Sequence, residues 1–143
     1  MLQKIYLHMD VFMKALKFAS VKHQNQRRKQ AGDIPYINHP IEVTNVLVEA
    51  GVKDYSVLAA AVLHDTIEDT ETTREELEKE FGSHITNIVV ECSDNKALSK
   101  VERKKLQITK ASKVSQEAKL VKMADKISNC GGLLVDYPVG WSK

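Results

Sequence analysis

The sequence of 143 residues has no apolar stretch long enough to cross a bilayer. Its longest apolar run covers residues 57–63, whereas a transmembrane helix needs about 20 such residues. The N-terminus lacks the basic, apolar and small-residue regions of a secretory signal. Only two cysteines are present, Cys92 and Cys130, which does not resemble a disulfide framework. These absences predict an intracellular, cytoplasmic protein without a membrane partner.

Sustained strand alternation, internal repeats and low-complexity segments are also absent. The apolar fraction of 43% and the charged fraction of 28% are those of an ordinary soluble globular protein. A chain of this length can bury a real core without disulfides. The sequence therefore predicts one globular domain.

Apolar residues recur at steps of three and four along most of the chain, which is the spacing of amphipathic helices. A first helix ends near Gln26, and a second begins near His39-Pro40 and stops at Gly51. Asp54 can cap a third, whose residues 57–63 are apolar all round and therefore belong in the middle of the fold.

Four more helices follow. Thr72 or Thr73 can cap a fourth that ends near Gly82, and a fifth follows it with Ile85 on its inner face. A charged sixth helix covers about residues 100–110, and a seventh runs toward Asn129. The predicted fold class is all-α, a single domain of about seven helices.

His64 and Asp65 close the most buried helix, directly after its apolar run. A buried, unpaired carboxylate costs several kcal/mol, and a metal ion would pair both groups. Glu68 follows His64 by four residues, and Asp69 follows Asp65 by four. If the helix continues, all four side chains share one broad face and form a dense set of ligands or proton carriers.

His39 and Asp125 are ambiguous when each is considered alone. A histidine at a helix start is more often a cap or a surface residue than a ligand. A lone core aspartate is usually satisfied by a neighbouring hydroxyl or amide. The remaining histidines have no acidic partner at ligand spacing and are predicted to be structural or exposed: His8, His23 and His84.

The order of these residues is more informative than their spacing. His39, His64-Asp65 and Asp125 resemble the H…HD…D signature of the HD phosphohydrolase superfamily. The segment Pro35-Tyr36-Ile37-Asn38-His39-Pro40, followed by Leu63-His64-Asp65-Thr66-Ile67-Glu68-Asp69-Thr70, resembles the hydrolase domain of RelA/SpoT-type proteins. The small stand-alone animal SpoT homologues are the most similar group, and the resemblance covers nearly the whole chain.

This resemblance implies an all-helical HD domain that removes the 3′-diphosphate from the alarmone (p)ppGpp with one Mn²⁺ ion. It also implies possible removal of the 2′-phosphate of NADPH, and Zn²⁺ or Fe²⁺ could use the same ligands. The implied metal ligands are His39, His64, Asp65 and Asp125. The implied catalytic residues beside the ion are Glu68 and Asp69. The implied substrate-binding residues are Arg28, Lys29 and Asn129.

The sequence departs from the family after Asp125. Gly131 and Gly132 replace family residues, and paired glycines in a helix predict that the seventh helix is weakened or ends early. Relatives continue beyond the Gly-Trp-Ser motif, so the HD domain over residues 1–143 is expected to be short at its C-terminus.

Two functional classes remain open at this stage. The first is a phosphohydrolase of (p)ppGpp or NADPH. The second is a shortened relative that binds metal and nucleotide, or a protein partner, with little or no turnover. Nucleic-acid binding is disfavoured because the basic segment 96–126 lacks interleaved aromatic residues. Nothing indicates self-association, and the expected partner is a small nucleotide.

Overall fold

The chain forms seven helices within the part that the computed structural model describes, residues 2–29 and 32–135. No strand occurs in these ranges, where an isolated bridge joins Arg27 to Pro35, so the all-α prediction is confirmed. No described helix is both long and apolar enough to span a membrane. In chain order the helices are α1 (Leu2–Lys22), α2 (Asn38–Glu49), α3 (Tyr55–Leu63), α4 (Thr66–Asp69), α5 (Arg74–Cys92), α6 (Lys100–Lys110) and α7 (Gln116–Val135).

Helix α3 lies in the middle of the fold, as its apolar sequence predicts. Residues 57–63 are all buried, and α3 packs against α1, α2, α5 and α7. The helix begins where Asp54 accepts a hydrogen bond from the backbone N–H of Ser56 at 2.8 Å. Because α3 touches four other helices, the groups at its C-terminal end are held by the core itself.

Helix α3 does not continue through Asp65, so the condition under which all four side chains would share one helix face is not met. The Asp65 backbone leaves regular geometry (φ −97°, ψ −2°), and the short α4 begins at Thr66. The hydroxyl of Thr66 donates to the Leu63 carbonyl at 2.7 Å, and His64 Nδ1 lies 2.7 Å from the Ala61 carbonyl. These side chains satisfy carbonyl groups at the helix end in place of the next turn.

Helix α5 combines the predicted fourth and fifth helices. It is kinked at Gly82, whose φ of +78° lies in the left-handed region that favours glycine. At its start, Thr73 rather than Thr72 provides the cap and accepts from the Glu76 N–H at 3.1 Å. The predicted fourth and fifth helices are therefore both present, as two segments of α5 that meet at the non-helical Gly82.

Helix α7 continues through the glycine pair to Val135, so the prediction that it ends early is wrong. Each glycine costs about 1 kcal/mol relative to alanine in a helix. The helix packs against α2, α3 and α5, and such packing provides most of the stability of helices in proteins. Tertiary contacts thus outweigh the local preference at Gly131 and Gly132.

Candidate metal centre and cleft

Three helices each bring one potential metal ligand to the same point. His39 lies at the start of α2, His64 at the end of α3 and Asp125 in α7, and their ligand atoms all lie within 4.8 Å of one another. His39 Nε2 is 3.0 Å from Asp125 Oδ1, and both imidazoles are buried. These are residues that the sequence separates by up to 86 positions.

Asp65 joins this group from the junction between α3 and α4. Its Oδ2 atom lies 3.0 Å from His64 Nε2 and 3.8 Å from His39 Nε2. All four residues predicted to hold a metal are therefore brought together. Two imidazoles and two carboxylates form a mixed nitrogen and oxygen set that suits Mn²⁺, Fe²⁺ or Zn²⁺.

Both imidazole rings are oriented by a partner on the side away from the carboxylates. The Ala61 carbonyl accepts from His64 Nδ1 at 2.7 Å. On the other ring, His39 Nδ1 lies 3.4 Å from the Ser128 hydroxyl, which donates to Glu42 Oε2 at 3.2 Å. A histidine that donates from Nδ1 presents Nε2 as a metal ligand, and such outer partners fix both tautomer and ring orientation.

The charges of the centre fit a bound cation. His64 Nε2 is buried, and although Asp65 Oδ2 lies 3.0 Å away, no well-aligned hydrogen bond to it forms among the described residues. Burial lowers the pKa of His64, but the carboxylates of Asp65 and Asp125 raise it to about 10. Burial raises the pKa of Asp65, yet His64, Tyr36 and His39 lower it to about 2. A divalent ion can take the place of the proton that otherwise balances these carboxylates.

Tyr36 is a site residue that residue spacing did not identify. Its hydroxyl lies 2.7 Å from Asp65 Oδ2 and 3.1 Å from Asp69 Oδ2. Burial and these two carboxylates raise the pKa of Tyr36, so the phenol keeps its proton and donates it. Tyr36 therefore links a potential metal ligand to a potential proton carrier. Its only signal was its place in the motif that precedes His39.

Glu68 and Asp69 lie beside the centre on α4. Glu68 Oε2 accepts from the Asp94 N–H at 3.0 Å. Burial raises the pKa of Glu68 although this hydrogen bond opposes the shift. The Asp69 carboxylate also contacts the ammonium group of Lys96. The loop of residues 93–99, which joins α5 to α6, thus fixes both carboxylates.

The centre opens into a cleft with a volume of about 920 Å³, a size that can hold a nucleotide. Of the predicted substrate residues, Arg28 lines the cleft with its guanidinium 6.0 Å from the ring centroid of Tyr36. Asn129 also lines it, and its side-chain amide donates to Asp125 Oδ1 at 2.8 Å. Lys29 is exposed and is not among the lining residues. Further cations line the cleft at Arg103, Lys110, Lys113, Lys122 and Lys126.

Two polar residues of α6 complete the described lining and were also missed by sequence spacing. Arg103 Nη1 is 3.9 Å from Glu68 Oε1, and the Gln107 side-chain amide donates to the Asp94 carboxylate. Neither contact follows from helical periodicity, because both depend on the path of loop 93–99. Arg103 belongs to a stretch of family resemblance, which gave it no specific role.

Comparisons with known proteins agree with this geometry. A family model described as an HD domain matches residues 15–130. The guanosine-3′,5′-bis(diphosphate) 3′-pyrophosphohydrolase MESH1 of Xenopus tropicalis is 51% identical over 134 residues, which cover 93% of this chain and 75% of the relative. The human protein of the same name is 50% identical over 132 residues, covering 92% of this chain and 74% of the relative.

A solved structure has a closely similar fold. It is described as a metazoan orthologue of SpoT that hydrolyses ppGpp and plays a role in starvation responses. It superimposes with a TM-score of 0.89 at 48% sequence identity, covering 93% of this chain and 75% of that chain. The chain therefore belongs to the HD-domain family, within the RelA/SpoT-related group that contains the MESH1 proteins. The resemblance inferred from the sequence is confirmed.

Proposed function

We propose that the chain is a metal-dependent phosphohydrolase that removes the 3′-diphosphate of guanosine-3′,5′-bis(diphosphate). The observation that carries this proposal is the meeting of two histidines and two aspartates at a cleft lined by cations. The named activity of relatives that are about half identical supports the choice of substrate. The lysines and arginines that line the cleft can meet a nucleotide with two diphosphate groups, and a bound divalent ion would offset part of the charge of the carboxylates there.

One divalent ion is held by His39, His64, Asp65 and Asp125, and its proposed identity is Mn²⁺. The buried Nε2 of His64, which lacks a hydrogen-bond partner among the described residues, supports this fit. So does the orientation of the His39 and His64 rings by partners on their far sides. When bound, such an ion lowers the pKa of a water ligand and withdraws charge from a phosphoryl oxygen.

Glu68 and Asp69 carry the protons of the reaction. Hydrolysis forms a bond between water oxygen and phosphorus, and it breaks the bond between phosphorus and the ribose 3′-oxygen. The proton that leaves the water is transferred to that 3′-oxygen, so the products are pyrophosphate and a nucleotide with a free 3′-hydroxyl. Burial raises the pKa of Glu68, which brings this carboxyl nearer the range in which a group both accepts and returns a proton.

The remaining sequence-predicted residues contact the substrate. Arg28 lines the cleft beside Tyr36, where its planar fork can bind a phosphate or stack on a base. Asn129 contacts the substrate from α7 while its amide also supports Asp125. Lys29 follows Arg28 and is exposed outside the cleft lining, so its proposed contact is with phosphates that extend beyond the lining residues.

The test is release of pyrophosphate from guanosine-3′,5′-bis(diphosphate), and of phosphate from NADPH as the second substrate, by the manganese-loaded protein. Glu68→Gln and Asp69→Asn each lower turnover by about 10²–10⁴-fold, the usual contribution of a positioned proton carrier. Their manganese content stays at that of the parent, because neither residue is a proposed ligand. The matched control is Glu75→Gln, an exposed glutamate of α5, which leaves turnover unchanged.

The alternative is a relative that binds metal and nucleotide without turnover. Folded, manganese-loaded protein that releases neither pyrophosphate nor phosphate from these nucleotides would contradict the hydrolase proposal. Retention of labelled nucleotide over hours without product would then favour the alternative. Turnover that survives a chelator would contradict the proposed dependence on metal.

A further inference from the structure

Arg103 occupies an unusual position in the cleft. Its side chain lines the cleft and is 29% exposed. Its nearest acidic partner is Glu68, but the 3.9 Å between Nη1 and Oε1 is too long for a hydrogen bond. The Nε atom is buried and has no hydrogen-bond partner among the described residues. The guanidinium is thus placed near a carboxylate without being bonded to it.

This arrangement leaves hydrogen-bond donors of Arg103 without acceptors, which lowers the stability of the folded protein. A guanidinium carries five N–H donors in a fixed planar fork. A buried donor without an acceptor costs about 1–3 kcal/mol, and more when the group is charged. Glu68 does not supply the missing acceptor in this geometry, because its Oε1 lies 3.9 Å from Nη1 while its Oε2 accepts from the Asp94 N–H at 3.0 Å. An acceptor that enters the cleft from solvent would satisfy these donors.

The surroundings indicate the chemistry of that acceptor. Other cations line the same cleft from α6, α7 and the turn between them, at Lys110, Lys113 and Lys122. A concave surface that presents several cations attracts a compact anion. Of the anions that a planar guanidinium recognises with two parallel hydrogen bonds, phosphate matches the proposed chemistry of the site.

We propose that Arg103 binds the oxygens of the phosphate group that reacts at the metal centre. This inference rests on the proposed function and extends it, because it adds a phosphate-binding cation on α6 to Arg28 in the same cleft. The Glu68 carboxylate, 3.9 Å away, attracts the guanidinium toward the reacting group without forming a hydrogen bond to it. Binding of the phosphate then satisfies the donors that the protein leaves open.

The helix that carries Arg103 suits this role. Helix α6 has no buried residue. Its Gln107 side-chain amide donates a hydrogen bond to the Asp94 carboxylate, and the backbone N–H of Asp94 donates to Glu68. The position of Arg103 is therefore coupled to that of Glu68 through one short set of polar contacts. A phosphate bound by Arg103 lies next to the carboxyl that is proposed to carry its proton.

The experiment measures the affinity of the manganese-loaded protein for inorganic phosphate by calorimetry, a readout that requires no turnover. Arg103→Ala weakens phosphate binding by about 10–100-fold, the loss expected for hydrogen bonds to a charged group. Arg103→Lys retains part of the affinity, because lysine keeps the positive charge but lacks the planar guanidinium that forms two parallel hydrogen bonds. The matched control is Lys104→Ala, an exposed cation of the same helix, which changes affinity less than twofold.

A second measurement separates this inference from the proposed function. If the protein turns over nucleotide, Arg103→Ala raises KM while the manganese content and thermal stability of the variant match the parent. If the protein turns over neither nucleotide but phosphate binding still depends on Arg103, the proposed hydrolase function is contradicted and the proposed phosphate site is supported. Equal losses in Arg103→Ala and Lys104→Ala, or no phosphate binding by the parent, would overturn the site.

Discussion

Helices α3 and α6 both bring side chains to the cleft, but only α3 belongs to the core. Residues 57–63 of α3 are all buried, and the helix ends at His64. Helix α6 carries Arg103 and Gln107 into the same cleft and has no buried residue. One side of the site is therefore held by the apolar contacts that fold the domain, and the other by polar contacts to loop 93–99.

This difference corresponds to the tasks of the two sides. A metal centre needs ligands held to within about 0.5 Å, and residues built on packed elements meet that requirement. A surface that admits a substrate can be less firmly anchored, because regions with few buried apolar contacts open most easily. The structure thus predicts a rigid metal side and a more easily displaced phosphate side.

The largest effect is expected from a cavity in α3. Leu63→Ala removes a side chain that is 0% exposed and lowers the free energy of unfolding by about 2–5 kcal/mol. Leu106→Ala in α6, where the side chain is 38% exposed, lowers it by less than about 1 kcal/mol. Urea unfolding in the presence of a chelator measures both values without a contribution from bound metal.

Equal losses in these two variants would contradict the comparison. They would mean that α6 unfolds as part of the same packed unit as α3. A smaller slope of free energy against urea in Leu106→Ala would also be informative, because the slope reports the surface exposed on unfolding.

A smaller effect is expected at the outer partner of His39. Ser128→Ala removes the hydroxyl that lies between His39 Nδ1 and Glu42. Loss of such a partner weakens metal binding by about 10–100-fold, and the long 3.4 Å contact favours the lower end of that range. Competition of the protein with a chelating dye for Mn²⁺ gives the affinity.

Two further variants make that measurement specific. Ser128→Thr keeps the hydroxyl and is expected to retain most of the affinity, whereas Ser112→Ala alters an exposed serine and leaves it unchanged. An unchanged affinity in Ser128→Ala would show that the protein core alone orients His39.

The features that the sequence predicts well are those that depend on neighbouring residues. The burial of α3 follows from an apolar run, and its start follows from the ability of Asp54 to cap. The same rule predicted the cap of α5 but left Thr72 and Thr73 as candidates, of which the structure uses Thr73. Each of these features involves a few consecutive residues, so the chain alone contains the necessary information.

The contacts across the cleft could not be predicted in this way. Tyr36 meets Asp65 across 29 positions, and the Asp94 N–H meets Glu68 across 26. Spacing along one helix says nothing about contacts between elements whose relative position is set by packing and by loops. For the same reason His39 and Asp125 became candidate ligands only through the family resemblance.

The smallest effect is expected from the helix caps, which allow one chemical change to be compared in both regions. Ser99 caps α6 in a capping box in which its hydroxyl accepts from Glu102 N–H and Glu102 accepts from Ser99 N–H. Thr73 caps α5, which packs against α3 and α7. Loss of either hydroxyl costs about 1 kcal/mol of helix stability. What differs is the part of the protein that is destabilised when the hydroxyl is removed.

Because α5 packs into the core, Thr73→Ala lowers the global free energy of unfolding by about 1 kcal/mol in urea. Ser99→Ala leaves that value within about 0.5 kcal/mol but speeds amide hydrogen exchange in α6 about fivefold, with exchange in α3 unchanged. It also raises KM for the nucleotide severalfold, because Arg103 lies one turn beyond the cap. If Ser99→Ala instead lowers global stability as much as Thr73→Ala, α6 is anchored as firmly as the core, and the proposed difference between the two sides of the cleft is wrong.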